Sequence, residues 1–232
     1  MTSLSYPLNI NKILRKKKSI KKELLKNDNL TEKKIAILGG STTSEIKNIL
    51  ELFLLKNNIK ADFYESEYNK YFEDALFGND KLGKFNPDII YIHTTNLNII
   101  NYPDIKDDKN KVDMLLHAEI ERYKSIWNAL SKFDCVIIQN NFDLPFVRSL
   151  GNLDSTEVYG KTNFLNRLNL EFSSAARQNP KLIINDINYL SFQVGLNQWY
   201  DPDYWFSYKM AVTPIGSIYL GHAIVKLICA AY

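Results

Sequence analysis

The chain has 232 residues, 45% of them hydrophobic and 24% charged, with a net charge of +3. That length allows one large domain or two small ones, and the apolar share is enough to cover a parallel sheet on both faces. The uninterrupted apolar runs are short and the basic N-terminus leads into more charge, so neither a membrane-spanning helix nor a signal peptide is expected, and the expected location is cytoplasmic.

Charge is unevenly spread. Residues 1–34 carry a balance of +7, which leaves −4 for the rest. Leu8, Ile10, Ile13, Leu14, Ile20, Leu24 and Leu25 recur at helical spacing, so residues 9–27 are predicted to form an amphipathic basic helix. Its run Arg15-Lys16-Lys17-Lys18 reads as a solvated face rather than a nucleic-acid site, because residues 12–26 hold no aromatic ring to stack on a base. No membrane contact is expected either. Residues 1–30 are assigned to this helix and 31–232 to a separate α/β domain.

Lys34-Ile35-Ala36-Ile37-Leu38 is a short apolar run ending in Gly39-Gly40, the pattern of a buried strand and a tight turn. Residues 43–56 then carry apolar residues at helical spacing. The alternation repeats: strands at 61–64, 88–93, 135–139 and 182–185, and helices at 67–77, 111–132, 155–178 and 215–230. Asp154 and Glu157 stand at capping-box spacing before the third of these helices, and Pro214 opens the last. Five apolar strands separated by helices predict a three-layer α/β/α sandwich on a five-stranded parallel sheet, with order 2-1-3-4-5 favoured. Ligands of such sheets bind beyond the carboxyl ends of the strands, at the switch between strands 1 and 3.

The loops at that edge hold the candidate site. Gly40, Ser41 and Thr42 leave the first strand at the start of a helix, where backbone N–H groups and the helix dipole suit an oxyanion or a phosphate; capping by Ser41, Thr42 or Thr43 is the alternative. His93 ends the third strand, within possible reach of Ser41 as a base, or has a structural role. Asn140 and Asn141 end the fourth strand as candidate oxyanion donors, or satisfy loop backbone. The aromatic loop 199–209 brings Asp201, Asp203, Trp205 and Lys209, either over a pocket or as ordinary packing. Cys135 and Cys229 are far apart and read as reduced thiols. His117 and His222 form no cluster, so neither a metal nor another cofactor is expected.

The order of these motifs resembles the SGNH (GDSL-like) hydrolases: a strand leading to a Gly-x-Ser/Thr turn, an amide-bearing loop, and a functional loop before the last helix. The resemblance implies Ser41 as nucleophile and Asn140 or Asn141 as amide donor. The last block departs from the pattern. Counting back from Gly216, Ala211 stands where the family has its histidine and Tyr208 where it has its aspartate, so the triad is altered or lost and His93 or Lys209 would have to supply the base. Leu38-Gly39-Gly40-Ser41-Thr42-Thr43, Gln139-Asn140-Asn141-Phe142 with Gly151-Asn152-Leu153-Asp154, and Trp199 through Lys209 with Thr213-Pro214 more closely resemble the N-terminal region of FkbH-like proteins. Those proteins continue into a haloacid-dehalogenase (HAD)-type phosphatase unit. The implied function is acyl or glyceryl (thio)ester transfer or hydrolysis; the alternative is a non-catalytic module that binds a carrier protein or an acyl or glyceryl group for the phosphatase. No Asp-x-Asp-x-Thr motif occurs, so phosphatase chemistry is not carried over.

Overall fold

A computed structural model describes residues 4–78 and 80–231, so residues 1–3, 79 and 232 of the two expected segments lie outside it. In chain order, α1 (Ile10–Leu24) precedes β1 (Thr31–Gly39), α2 (Ser44–Lys56) and β2 (Ile59–Glu65). Two short helices, α3 (Tyr71–Glu73) and α4 (Asp80–Phe85), flank a wide helical turn at Asp74–Gly78. Then come β3 (Ile89–His93), α5 (Lys109–Leu130), β4 (Val136–Asn140), α6 (Lys161–Gln178) and β5 (Leu182–Asn185). The chain closes with α7 (Ile187–Val194), α8 (Leu196–Trp199), α9 (Pro202–Tyr208) and α10 (Pro214–Ala231). The sheet is five-stranded, every neighbouring pair is parallel, and the order is β2-β1-β3-β4-β5.

The strands are apolar throughout because both faces are covered. Ala36, Leu38, Ile90, Ile92 and Ile137 meet α5 and α6 on one face. There Tyr123, Trp127, Phe142 and Phe172 pack edge-on or tilted, with ring centroids 4.9–6.2 Å apart. Ile35, Ile37, Ile89, Tyr91 and Ile138 meet α2 and α10 on the other. Gly221 lets α10 approach α2 closely: a Cβ there would stand 2.9 Å from Ile49 Cγ2. α1 lies outside this layer, joined by buried Ile13 and by the ion pairs Lys17–Glu45 and Lys21–Glu51. It is kinked at Lys16.

Several boundaries differ from the sequence pattern. The expected helix 67–77 is broken into short turns. The helix expected from residue 155 begins at Lys161, and Asp154 forms no capping box with Glu157; its buried carboxylate instead accepts the backbone N–H of Thr162 at 2.7 Å. Most of the loop expected at 199–209 is helical, formed by the end of α8 and by α9, and residues 186–198, to which the sequence pattern assigned no element, hold α7 and the rest of α8; the starts of these helices are marked by the capping side chains of Asp186 and Asp201 and by Gly195. α10 has the length and apolar composition to cross a membrane, contrary to the expectation from run length. Its apolar residues Ile218, Leu220, Ile224, Val225 and Ile228 are buried against α2 and the sheet.

Candidate functional site

β1 and β3 end side by side. Gly39 is paired with His93, and the Gly40 N–H donates to the His93 carbonyl at 2.8 Å. The chain then turns through Ser41 and Thr42 into α2. Gly40 is required by a close approach: an added Cβ would stand 2.3 Å from Asn98 Nδ2. That amide cannot step aside, because Asn98 Nδ2 donates to the Gly40 carbonyl at 2.8 Å and Oδ1 accepts the Thr95 N–H at 3.0 Å. Behind Asn98 stands Arg122, which donates to the Asn98 carbonyl at 3.1 Å and pairs with Glu119 in a nearly buried ion pair.

None of the three hydroxyls caps α2. Thr43 precedes the helix and makes no side-chain cap bond. Thr42 is held from the far side of the site: its N–H donates to the Lys209 carbonyl at 2.9 Å and its hydroxyl to the Tyr208 carbonyl at 2.8 Å. The end of α9 therefore lies on the turn. Ser41 is buried, 2% exposed, and its Oγ has no hydrogen-bond partner among the described residues.

His93 is fully buried within a polar network. Its Nδ1 lies 2.9 Å from the Tyr91 hydroxyl and 3.0 Å from Asn140 Nδ2. Asn140 Nδ2 also donates to the Thr94 carbonyl at 3.3 Å, while Asn140 Oδ1 accepts from Asn185 Nδ2 at 2.8 Å. The Tyr91 hydroxyl also donates to Asn140 Oδ1 at 3.2 Å, so His93 Nδ1 is engaged from two sides, and its role as donor or acceptor follows the ring tautomer. Its Nε2 has no partner among the described residues. Burial pushes the imidazole down to about 3. His93 is therefore neutral, with Nδ1 engaged by Tyr91 and Asn140, and it is not bonded to Ser41 Oγ.

The other candidates are placed as follows. Asn141 Nδ2 donates to Asp186 Oδ1 at 2.8 Å and its Oδ1 accepts the Asn188 N–H, so it ties β4 to α7 and makes no bond to Ser41. Lys209 is exposed, in a left-handed conformation at φ 54° where it ends α9. Its ammonium lies 5.4 Å from the Trp205 ring centroid and 6.0 Å from that of Phe206. Asp201 caps α9 by accepting the Asp203 N–H, and Asp203 itself is exposed.

Sequence reasoning passed over the residues that hold these loops together. Asp143 is buried, and burial raises its carboxyl pKa against the pull of its donors. Its Oδ1 accepts from both the backbone N–H and the side-chain amide of Asn96, at 2.9 Å each; its Oδ2 accepts the Trp199 indole N–H at 2.8 Å. One carboxylate thus joins the loops after β3 and β4 to α8. The only signal was an acid set between Phe142 and Leu144, both buried.

The family model described as FkbH, N-terminal domain, matches residues 34–229, a span that leaves α1 outside. No curated protein matches the chain. Among solved structures, the N-terminal part of protein BF1531 from Bacteroides fragilis, described as containing a phosphatase domain complexed with Mg, is 17% identical with a TM-score of 0.78. The match covers 93% of this chain and 56% of that one, so this chain spans little more than half of that neighbour. TesA (TM-score 0.56, 10% identity, 86% of this chain and 99% of the other) is also similar. So is a GDSL-like lipase from Bacteroides thetaiotaomicron (TM-score 0.50, 12% identity, 97% and 98%). The fold is that of the SGNH hydrolases.

Proposed function

The chain belongs to the FkbH N-terminal domain family, and from that premise we propose that it is a binding module with a degenerate triad, which holds an acyl or glyceryl group or its carrier protein for a HAD-type phosphatase domain in the same chain or another. The observation that carries this reading is the isolation of Ser41. A serine hydroxyl becomes a good nucleophile only with a base within about 3 Å, and Ser41 Oγ bonds to none among the described residues. His93 is turned through Nδ1 to Tyr91 and Asn140 and makes no bond to Ser41, Lys209 lies on aromatic rings, and Ala211 is buried at the position where the family has its histidine. The phosphatase domain of the Bacteroides fragilis neighbour supports the choice of partner. The two free cysteines fit a reducing, cytoplasmic setting.

The test compares the wild-type chain with Ser41→Ala in hydrolysis of p-nitrophenyl acetate and of an acyl thioester, alongside binding of an acyl- or glyceryl-loaded carrier protein. Equal, negligible rates with saturable binding are expected. Robust turnover abolished by the substitution would overturn the reading in favour of a hydrolase.

A further inference from the structure

A cavity of 310 Å³ opens at the carboxyl edge of the sheet, bounded by the loops after β3 and β4, the start of α6, and α8. Its walls are Tyr102, Leu144, Phe146, Leu196 and Tyr200, and its cation is Lys161. The walls are held from behind: Tyr102 donates its hydroxyl to the Asn96 carbonyl at 2.8 Å, and Asp143 grips Asn96 on one side and Trp199, next to Tyr200, on the other. Phe146 remains 41% exposed at the rim, with its ring 5.7 Å from that of Tyr200. The volume is at the small end for ligand cavities.

Lys161 is half-buried, and its ammonium lies 4.9 Å from the Tyr102 ring centroid. It makes no ion pair among the described residues. The three carboxylates that act on Tyr102, namely Asp143, Glu119 and Asp154, do not line the cavity and are already engaged by N–H donors. A cation without an ion-pair partner among the described residues, at the mouth of an apolar cavity, selects a molecule with an anionic head and an apolar body.

We propose that this cavity binds a short fatty-acyl carboxylate, with its head on Lys161 and its chain among Tyr102, Leu144, Phe146, Leu196 and Tyr200. The proposal rests on the binding-module reading and narrows its ligand to the acyl alternative, since a lining made mostly of rings and aliphatic side chains, with Asn96 and Lys161 as its polar members, matches an apolar body better than a polyol.

The probe is hexanoate, titrated into the whole chain and followed by amide chemical shifts and calorimetry, with hexanamide and glycerate as comparisons. Saturable binding of hexanoate is expected, with shifts confined to residues 96–102, 144–147, 161 and 196–200. Lys161→Met should weaken it about tenfold, the loss of one charge-assisted contact, and hexanamide should bind the wild type with a similar deficit. Phe146→Ala, at an exposed rim position, should weaken it without affecting folding. Lys226→Met, in the separate 450 Å³ cavity beside α10, should change nothing. Absence of binding, shifts elsewhere, equal affinity for glycerate, or indifference to Lys161→Met would each overturn the proposal. Serine-dependent ester turnover would instead overturn the binding-module reading, and the hexanoate titration would still be decided on its own result.

Discussion

His93 Nδ1 lies 3.0 Å from Asn140 Nδ2, and the same amide nitrogen donates to the Thr94 carbonyl at 3.3 Å. These contacts fix the ring of the histidine that ends the strand beside the Ser41 turn. The ring is neutral and walled off from solvent. A residue that sequence order offers as a general base is instead built into a buried polar network.

The first prediction follows from that state. In the unfolded chain His93 titrates near 6.5, and in the fold burial pushes it down to about 3. Between those values the unfolded chain takes up a proton that the fold refuses. The stability this residue contributes is therefore present above pH 6.5 and is lost as pH falls toward 3, at about 1.4 kcal/mol per pH unit. Urea unfolding from pH 7.5 to 4.5 should show this slope in the wild type. His93→Asn, which keeps an acceptor for Asn140, should lose that component. Identical slopes in the two proteins would mean that His93 titrates normally.

The Gly40–Asn98 contact makes a coupled pair. Gly40→Ala alone should cost about 1–3 kcal/mol, the range for overpacking a site that cannot relax. Asn98→Ala alone should cost roughly 1–2 kcal/mol for two lost hydrogen bonds. Once Asn98 is truncated, the methyl at position 40 has room, so the double variant should be more stable than the sum of the two effects implies, by at least about 0.5 kcal/mol. Simple additivity in a denaturation cycle would count against the steric account.

Asp143→Asn keeps the shape of the side chain and breaks its chemistry. All three of its partners are N–H donors, so an amide must turn its own NH₂ toward one of them. The expected cost is about 1–3 kcal/mol, the penalty for a buried donor left without an acceptor. Trp199 fluorescence should shift as the indole loses its partner. A variant as stable as the wild type would show that the carboxylate is not the joint between these loops.

Ser41→Ala tests the isolation of the hydroxyl through stability. A buried hydroxyl without a partner costs about 1–3 kcal/mol of desolvation, and alanine removes it. The variant should melt at the same temperature or a few degrees higher, given about 2–4 °C per kcal/mol for a chain of this size. A clear loss of stability would reveal a bond to Ser41 Oγ.

The sequence by itself determined the sheet. Runs such as Ile35–Leu38, Ile89–Ile92 and Ile137–Ile138, each bounded by turn residues, are recognisable because a strand covered on both faces must be apolar at every position. Right-handed crossovers leave few strand orders, and the order fixes which loops share an edge. The family was legible for the same reason: its motifs lie at those strand ends, at spacings set by local backbone geometry. What each side chain does there was decided only by the tertiary structure. His93 ends β3 and Asn141 follows the end of β4, yet one is bound into a network with Tyr91 and Asn140 and the other is turned to Asp186 at the start of α7. Lys209 contributes a carbonyl to Thr42 while its charge rests on Trp205. Asp143 and Asn98 had no pattern to mark them, because a buried polar group is defined by the donors and acceptors that surround it. Here those partners come from segments up to 58 residues away in the chain, and no local periodicity records which of them will meet.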